Sequence, residues 1–151
     1  MGVTNSYNLS PLQKGMLFHY LTDRTAGIDI DQMFCHLKES IDKDKLQKAW
    51  DEVITNHEVC RTNFLWEEVD QPIQTINDDI RAQISCYDWQ DLPNRARDSK
   101  LKLFLEEDRA KGFDLNRAPL IRLTLIKINE EEYYFIWTFH HIIMDGRSHA
   151  I

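Results

Sequence analysis

The chain has 151 residues, 25 acidic against 18 basic, for a formal net charge of −7. That balance repels a phosphate backbone or an anionic bilayer and excludes nucleic acid as an expected partner. With 42% hydrophobic and 11% aromatic residues, the chain can bury a core of its own as one domain. Cys35, Cys60 and Cys86 are widely spaced without CxxC pairing. Neither a disulfide framework nor a zinc site is expected, and the three read as small buried apolar residues in a reducing cytosol.

Met1-Gly2-Val3-Thr4-Asn5-Ser6 is polar and lacks the basic start and apolar run of an export signal, so residues 1–6 read as a tail and 7–151 as one folded unit. Ser10 followed by Pro11 predicts a helix from Pro11 to about Thr22, because serine caps free amides and proline is suited to the first turn. The segment Gln32 to Glu39 alternates like a strand, and Asp42 then caps a helix carrying Leu46, Ala49, Trp50, Val53 and Ile54 at helical spacing. Short strands are expected around Thr62 to Val69, Pro72 to Ile76 and Gln83 to Tyr87. Between Pro93 and Lys111, the residues Leu101, Phe104, Leu105 and Asp108 mark a charge-rich helix that Gly112 terminates.

Leu120 to Ile128 and Tyr133 to His140, joined by Asn129-Glu130-Glu131-Glu132, form the clearest hairpin. In its second strand both parities are largely apolar, which predicts a central strand covered on both faces. Tyr133 to Met144 is the longest apolar stretch, yet it is too short to span a bilayer and contains two histidines. No membrane partner is expected, and the location reads as cytoplasmic. The expected fold class is α/β, a two-layer sandwich of a mixed β-sheet with helices and no internal domain boundary.

Phe139-His140-His141-Ile142-Ile143-Met144-Asp145-Gly146 stands where the buried strand gives way to a loop, a common place for a site. Adjacent strand residues point to opposite faces, so only one of His140 and His141 can meet a substrate. A neutral imidazole takes a proton or accepts a hydrogen bond at cellular pH, which suits acyl transfer to an amine or hydroxyl. His19 and His57 read instead as helix-end or packing residues, and Trp50, Trp66, Trp89 and Trp137 as core aromatics.

His140-His141-x-x-x-Asp145-Gly146 resembles the HHxxxDG signature of nonribosomal peptide synthetase condensation domains. Leu9-Ser10-Pro11-Leu12-Gln13-Lys14-Gly15-Met16-Leu17-Phe18-His19 resembles that family's opening helix motif. Asn56-His57-Glu58-Val59-Cys60-Arg61-Thr62 resembles its second motif, with Asn56 where arginine is preferred and Cys60 where a larger apolar residue is common. Lys111-Gly112-Phe113-Asp114-Leu115 before Ala118-Pro119-Leu120 fits the same pattern.

The resemblance implies one lobe of a chloramphenicol-acetyltransferase-like fold. The chain is similar to the first lobe only, since no second lobe follows Ile151, and one wall of a tunnel is expected to be inactive alone. By position, His141 is similar to the family's catalytic histidine, as general base or as a hydrogen-bond partner of the α-amine. Gly146 corresponds to a tight turn near the thioester, and Asp145 to a structural clamp on Arg61. The implied partners are donor and acceptor peptidyl carrier proteins, a C-terminal lobe and an adenylation domain. No cofactor is bound by the chain itself, and substrates arrive on phosphopantetheine arms. The opening motif is more similar to elongating, amide-forming domains than to epimerization domains. A lobe that only contacts carrier proteins is the alternative of another class.

Overall fold

A computed structural model describes residues 3–23 and 27–144. In chain order the elements are β1 (Val3–Asn8), α1 (Pro11–Thr22), β2 (Ile30–Leu37), α2 (Lys43–Asn56), β3 (Thr62–Leu65), β4 (Ile73–Asn77), β5 (Ile84–Asp88), α3 (Asn94–Ala110), β6 (Ile121–Asn129) and β7 (Glu132–His140). The α/β class expected from the sequence is the one that forms. Its strands divide between a three-stranded sheet, β1-β4-β3, and a mixed four-stranded sheet, β2-β7-β6-β5, in which only β5 and β6 run parallel. Local pattern marks strands without saying which sheet each joins. For the same reason the polar start of the chain, read as a tail to residue 6, is already strand from Val3, paired with β4.

Helix boundaries follow from capping chemistry. The Gln13 amide donates to Ser10 Oγ, and the Ser10 amide donates to the Gln13 side chain at 2.9 Å, a reciprocal capping box with Pro11 in the first turn. Asp42 Oδ1 accepts from the amides of Asp44 and Lys45 and starts α2. Past α3, Gly112 takes φ +60°, a left-handed conformation that glycine adopts without a Cβ penalty.

The four-stranded sheet is the centre of the fold, and alternation along β7 sorts the core into two clusters. Tyr133, Phe135, Trp137 and Phe139 belong with Met16 and Leu17 of α1, Ile54 of α2 and Phe64 of β3. Tyr134 and Ile136 belong with Trp89, Ile126 and Ile128, under Leu101, Phe104 and Leu105 of α3. The strand is therefore central and covered on both faces, as its doubly apolar sequence requires. Of the tryptophans only Trp89 is fully buried, while Trp50, Trp66 and Trp137 pack half-buried against the larger cluster. Among the cysteines only Cys60 is buried; Cys35 and Cys86 are exposed, contrary to their reading as core residues. They lie on β2 and β5, the two edges of the sheet, where one face escapes the helices.

One buried carboxylate joins α3 to this sheet. Asp108 accepts from Arg122 Nε at 2.9 Å, from Thr138 Oγ1 at 2.6 Å and from Gln32 Nε2 at 3.0 Å, so a single side chain on α3 engages β6, β7 and β2. Burial pushes the Asp108 carboxyl up, but the hydrogen bonds from Arg122, Thr138 and Gln32 and the Arg122 charge outweigh it and leave the pKa lowered. Removing one partner of such a pair strands the other charge in the interior. Arg122→Ala should therefore lower stability by on the order of 3 kcal/mol in urea denaturation, while an unchanged midpoint would show that Asp108 is satisfied without the guanidinium.

Candidate functional site

β7 ends in a tight turn that fixes two neighbouring histidines by different means. The His140 amide donates to Leu120 O at 3.1 Å and the His141 amide to Asp29 O at 2.7 Å, so the first histidine is held from the β6 side and the second from the β2 side. The Ile143 amide closes the turn on His140 O. From α1, Gln13 Nε2 reaches Ile142 O at 3.3 Å, so the capping-box glutamine also braces the histidine loop.

The two imidazoles sit in opposite environments, as strand alternation predicts. His140 is 4% exposed, its ring lies edge-on 6.5 Å from Phe113, and its Nδ1 accepts from the Ile142 amide at 3.1 Å. Accepting at Nδ1 assigns the neutral ring with its proton on Nε2. Burial drives its pKa down to about 4, and Asp29 and Asp31 only partly offset this. His141 keeps 30% of its side chain exposed, and its Nδ1 lies 2.7 Å from Asp31 Oδ2. A carboxylate only accepts, so this bond places the proton on Nδ1 and puts the lone pair of the neutral ring on Nε2. One histidine is a buried neutral strut. The other is partly exposed.

Asp31 is absent from the candidate residues that the sequence marks, in which the strand is expected to begin only at Gln32. No motif includes it. The only signal is the β2–β7 register, in which Ile30 faces His140 and Asp31 faces Phe139, so that Asp31 is the diagonal neighbour of His141. A shallow cleft beside the pair, lined in part by His19, Tyr20, Asp29, Phe113 and His140, adjoins His140 and not His141. His19, in the last turn of α1, lies 3.4 Å from Asp29, and His57 is the C-cap of α2, so both hold the helix-end places expected of them.

Arg61 stands apart from the histidines at the C-terminal end of α2. It donates to Ile54 O at 3.1 Å, Thr55 O at 3.3 Å and Asn77 O at 2.9 Å, with Asp78 at 3.6 Å. A cation on the last carbonyls of a helix satisfies groups that have no partner within it. Asp145 and Gly146 lie outside the described residues, and with them the expected Asp145–Arg61 pair. Among the described residues no three His, Cys, Asp or Glu side chains gather into a metal site, and no helix is long and apolar enough to cross a membrane.

Fold and site together define an α/β domain that presents one partly exposed and one buried imidazole at the end of its central strand. The family to which the chain belongs is that of the condensation domain, whose model matches residues 3–151. It is 40% identical over 146 residues to one of the proteins that make up the linear gramicidin synthase of Brevibacillus parabrevis, covering 97% of this chain and 3% of that protein. It is 38% identical over 141 residues to bacitracin synthase 1 of Bacillus licheniformis, covering 93% of this chain and 3% of that one. The chain thus spans a small part of the length of the relatives it matches. Among solved structures, the starter condensation domain of the rhizomide synthetase superposes with a TM-score of 0.84 at 18% identity, over 95% of this chain and 36% of that one. The first condensation domain of the calcium-dependent antibiotic synthetase also gives 0.84, at 16% identity, over 99% and 37%. These two share the fold.

The environment of His140 has a measurable consequence. Its folded pKa of about 4 lies below the ordinary value of 6.5, so the unfolded chain binds the extra proton first as pH falls. The stability present above pH 6.5 is lost towards pH 4, by on the order of 3 kcal/mol from this one group. His140→Gln should flatten the pH dependence of urea denaturation by close to one proton across that window. An identical slope in variant and wild type would place the buried, uncharged imidazole elsewhere.

Proposed function

We propose that this chain supplies the histidine-bearing lobe of an amide-forming condensation domain within a nonribosomal peptide synthetase. The observation that carries this reading is the pairing of a partly exposed His141, its lone pair directed to Nε2 by the Asp31 contact, with a buried and neutral His140 at the end of β7. The synthase relatives support the setting.

In this reading a donor aminoacyl or peptidyl thioester and an acceptor aminoacyl thioester arrive on the phosphopantetheine arms of two carrier proteins. The acceptor α-amine attacks the donor carbonyl; the C–N bond forms and the C–S bond breaks. The proton leaving the amine passes to His141 Nε2 and from there to the departing thiolate, so the imidazole ends as it began. Proton transfer of this kind contributes about 10²- to 10⁴-fold, and the remaining acceleration comes from holding both thioesters in attack geometry. The C-terminal lobe is the other wall of that site, and an adenylation domain loads the acceptor.

Single-turnover dipeptide formation on loaded carrier proteins tests the assignment in the synthetase that contains this chain. His141→Ala should cut the rate by at least about 100-fold with the carriers still binding. His140→Ala should act chiefly through stability and lose far less rate at a temperature where it stays folded. Equal losses in two folded variants would overturn the division of roles.

A further inference from the structure

The geometry points to Asp31 as a positioning residue for His141, an inference that rests on the function proposed above and adds a residue to it. β2 and the residue just before it hold the second histidine at two points. The backbone accepts the His141 amide at Asp29 O, 2.7 Å away, and the Asp31 carboxylate takes Nδ1, also at 2.7 Å. The first contact fixes where the ring starts, and the second fixes its rotation and tautomer. With the Nδ1 proton committed to a carboxylate, the lone pair is confined to Nε2, and the positive charge that develops when Nε2 takes a proton has an anion against it.

The bland alternative is that the pair is an ordinary surface contact. His141 is 30% and Asp31 47% exposed in their side chains, and an ion pair that open to water contributes little to folding. That weakness makes the two roles separable, because removing Asp31 leaves the fold nearly as stable as before. The neighbouring polar residues of this region already have other partners. Asp29 is engaged by His19, and Gln32 by Asp108 on the opposite face of the sheet. Register gives Asp31 its place: cross-strand pairing with Phe139 sets both on one face, and His141 is the next residue of that parity.

The test pairs a kinetic with a spectroscopic readout. In single-turnover assays of the synthetase that contains this chain, Asp31→Ala should slow dipeptide formation by about 10- to 100-fold, with half-saturation by the acceptor carrier and the melting temperature unchanged. Asp31→Glu should recover part of the loss, and Asp31→Asn, which keeps the shape without the charge, should not. In long-range proton–nitrogen correlation spectra of the full chain, His141 should carry its proton on Nδ1 in the wild type and redistribute it towards Nε2 in Asp31→Ala. Wild-type rate together with the wild-type tautomer in Asp31→Ala would overturn the inference. So would a rate loss that merely follows a lowered melting temperature. His141→Ala in the same assay separates the two readings: if it keeps full rate, the proposed function fails, while the tautomer comparison still reports on what Asp31 does to the ring.

Discussion

The buried carboxylate of Asp108 is the contact on which the arrangement of this molecule turns. It is 3% exposed and draws donors from β2, β6 and β7, so α3 can lie against the sheet in one position only. An ion in the interior is costly unless its lone pairs are used. Here Arg122, Thr138 and Gln32 use them, and Arg122 directs its other donors to the carbonyls of Asp108 and Gly112. The guanidinium also stacks 4.2 Å from the centre of Phe113. Phe113 in turn meets His140. Charge, aromatic ring and histidine thus form one continuous contact from the helix to the end of the central strand, two residues beyond Thr138.

That continuity explains why the two histidines can differ so sharply. A strand covered on both faces sends His140 into the interior, where desolvation removes its charge. The turn then leaves His141 with 30% of its side chain exposed to water. The edge strand β2 completes the pair. The residue just before it and its own second residue supply the same histidine with partners: Asp29 a carbonyl and Asp31 a carboxylate.

Several of the family's motifs acquire a physical meaning at this level. The serine and glutamine of the opening motif form a capping box, and the glutamine reaches on to the histidine loop. The arginine of the second motif closes the end of α2 by collecting carbonyls from Ile54, Thr55 and Asn77. Gly112 of the Lys111-Gly112-Phe113-Asp114-Leu115 segment provides the positive φ that turns the chain out of α3 and towards Phe113. Of these residues only Gln13 reaches the histidine loop, at Ile142 O; the others fix the ends of helices.

Whatever depends on neighbours along the chain is legible in the residues alone. Capping residues place the starts of α1 and α2, Gly112 the end of α3, and double-sided apolarity identifies β7 as a central strand. Alternation separates the environments of His140 and His141, and four residues at a fixed spacing carry the family. Whatever depends on neighbours in space is decided by the tertiary structure. The division into two sheets, the strand at Val3, the exposure of Cys35 and Cys86, and the joining of Gln32, Asp108, Arg122 and Thr138 all follow from pairing register and edge position, which local pattern does not encode. Asp31 is the sharpest case. It lies 110 positions from His141 in sequence, belongs to no motif, and becomes its hydrogen-bond partner only because β2 pairs antiparallel with β7 in a register that sets Ile30 opposite His140.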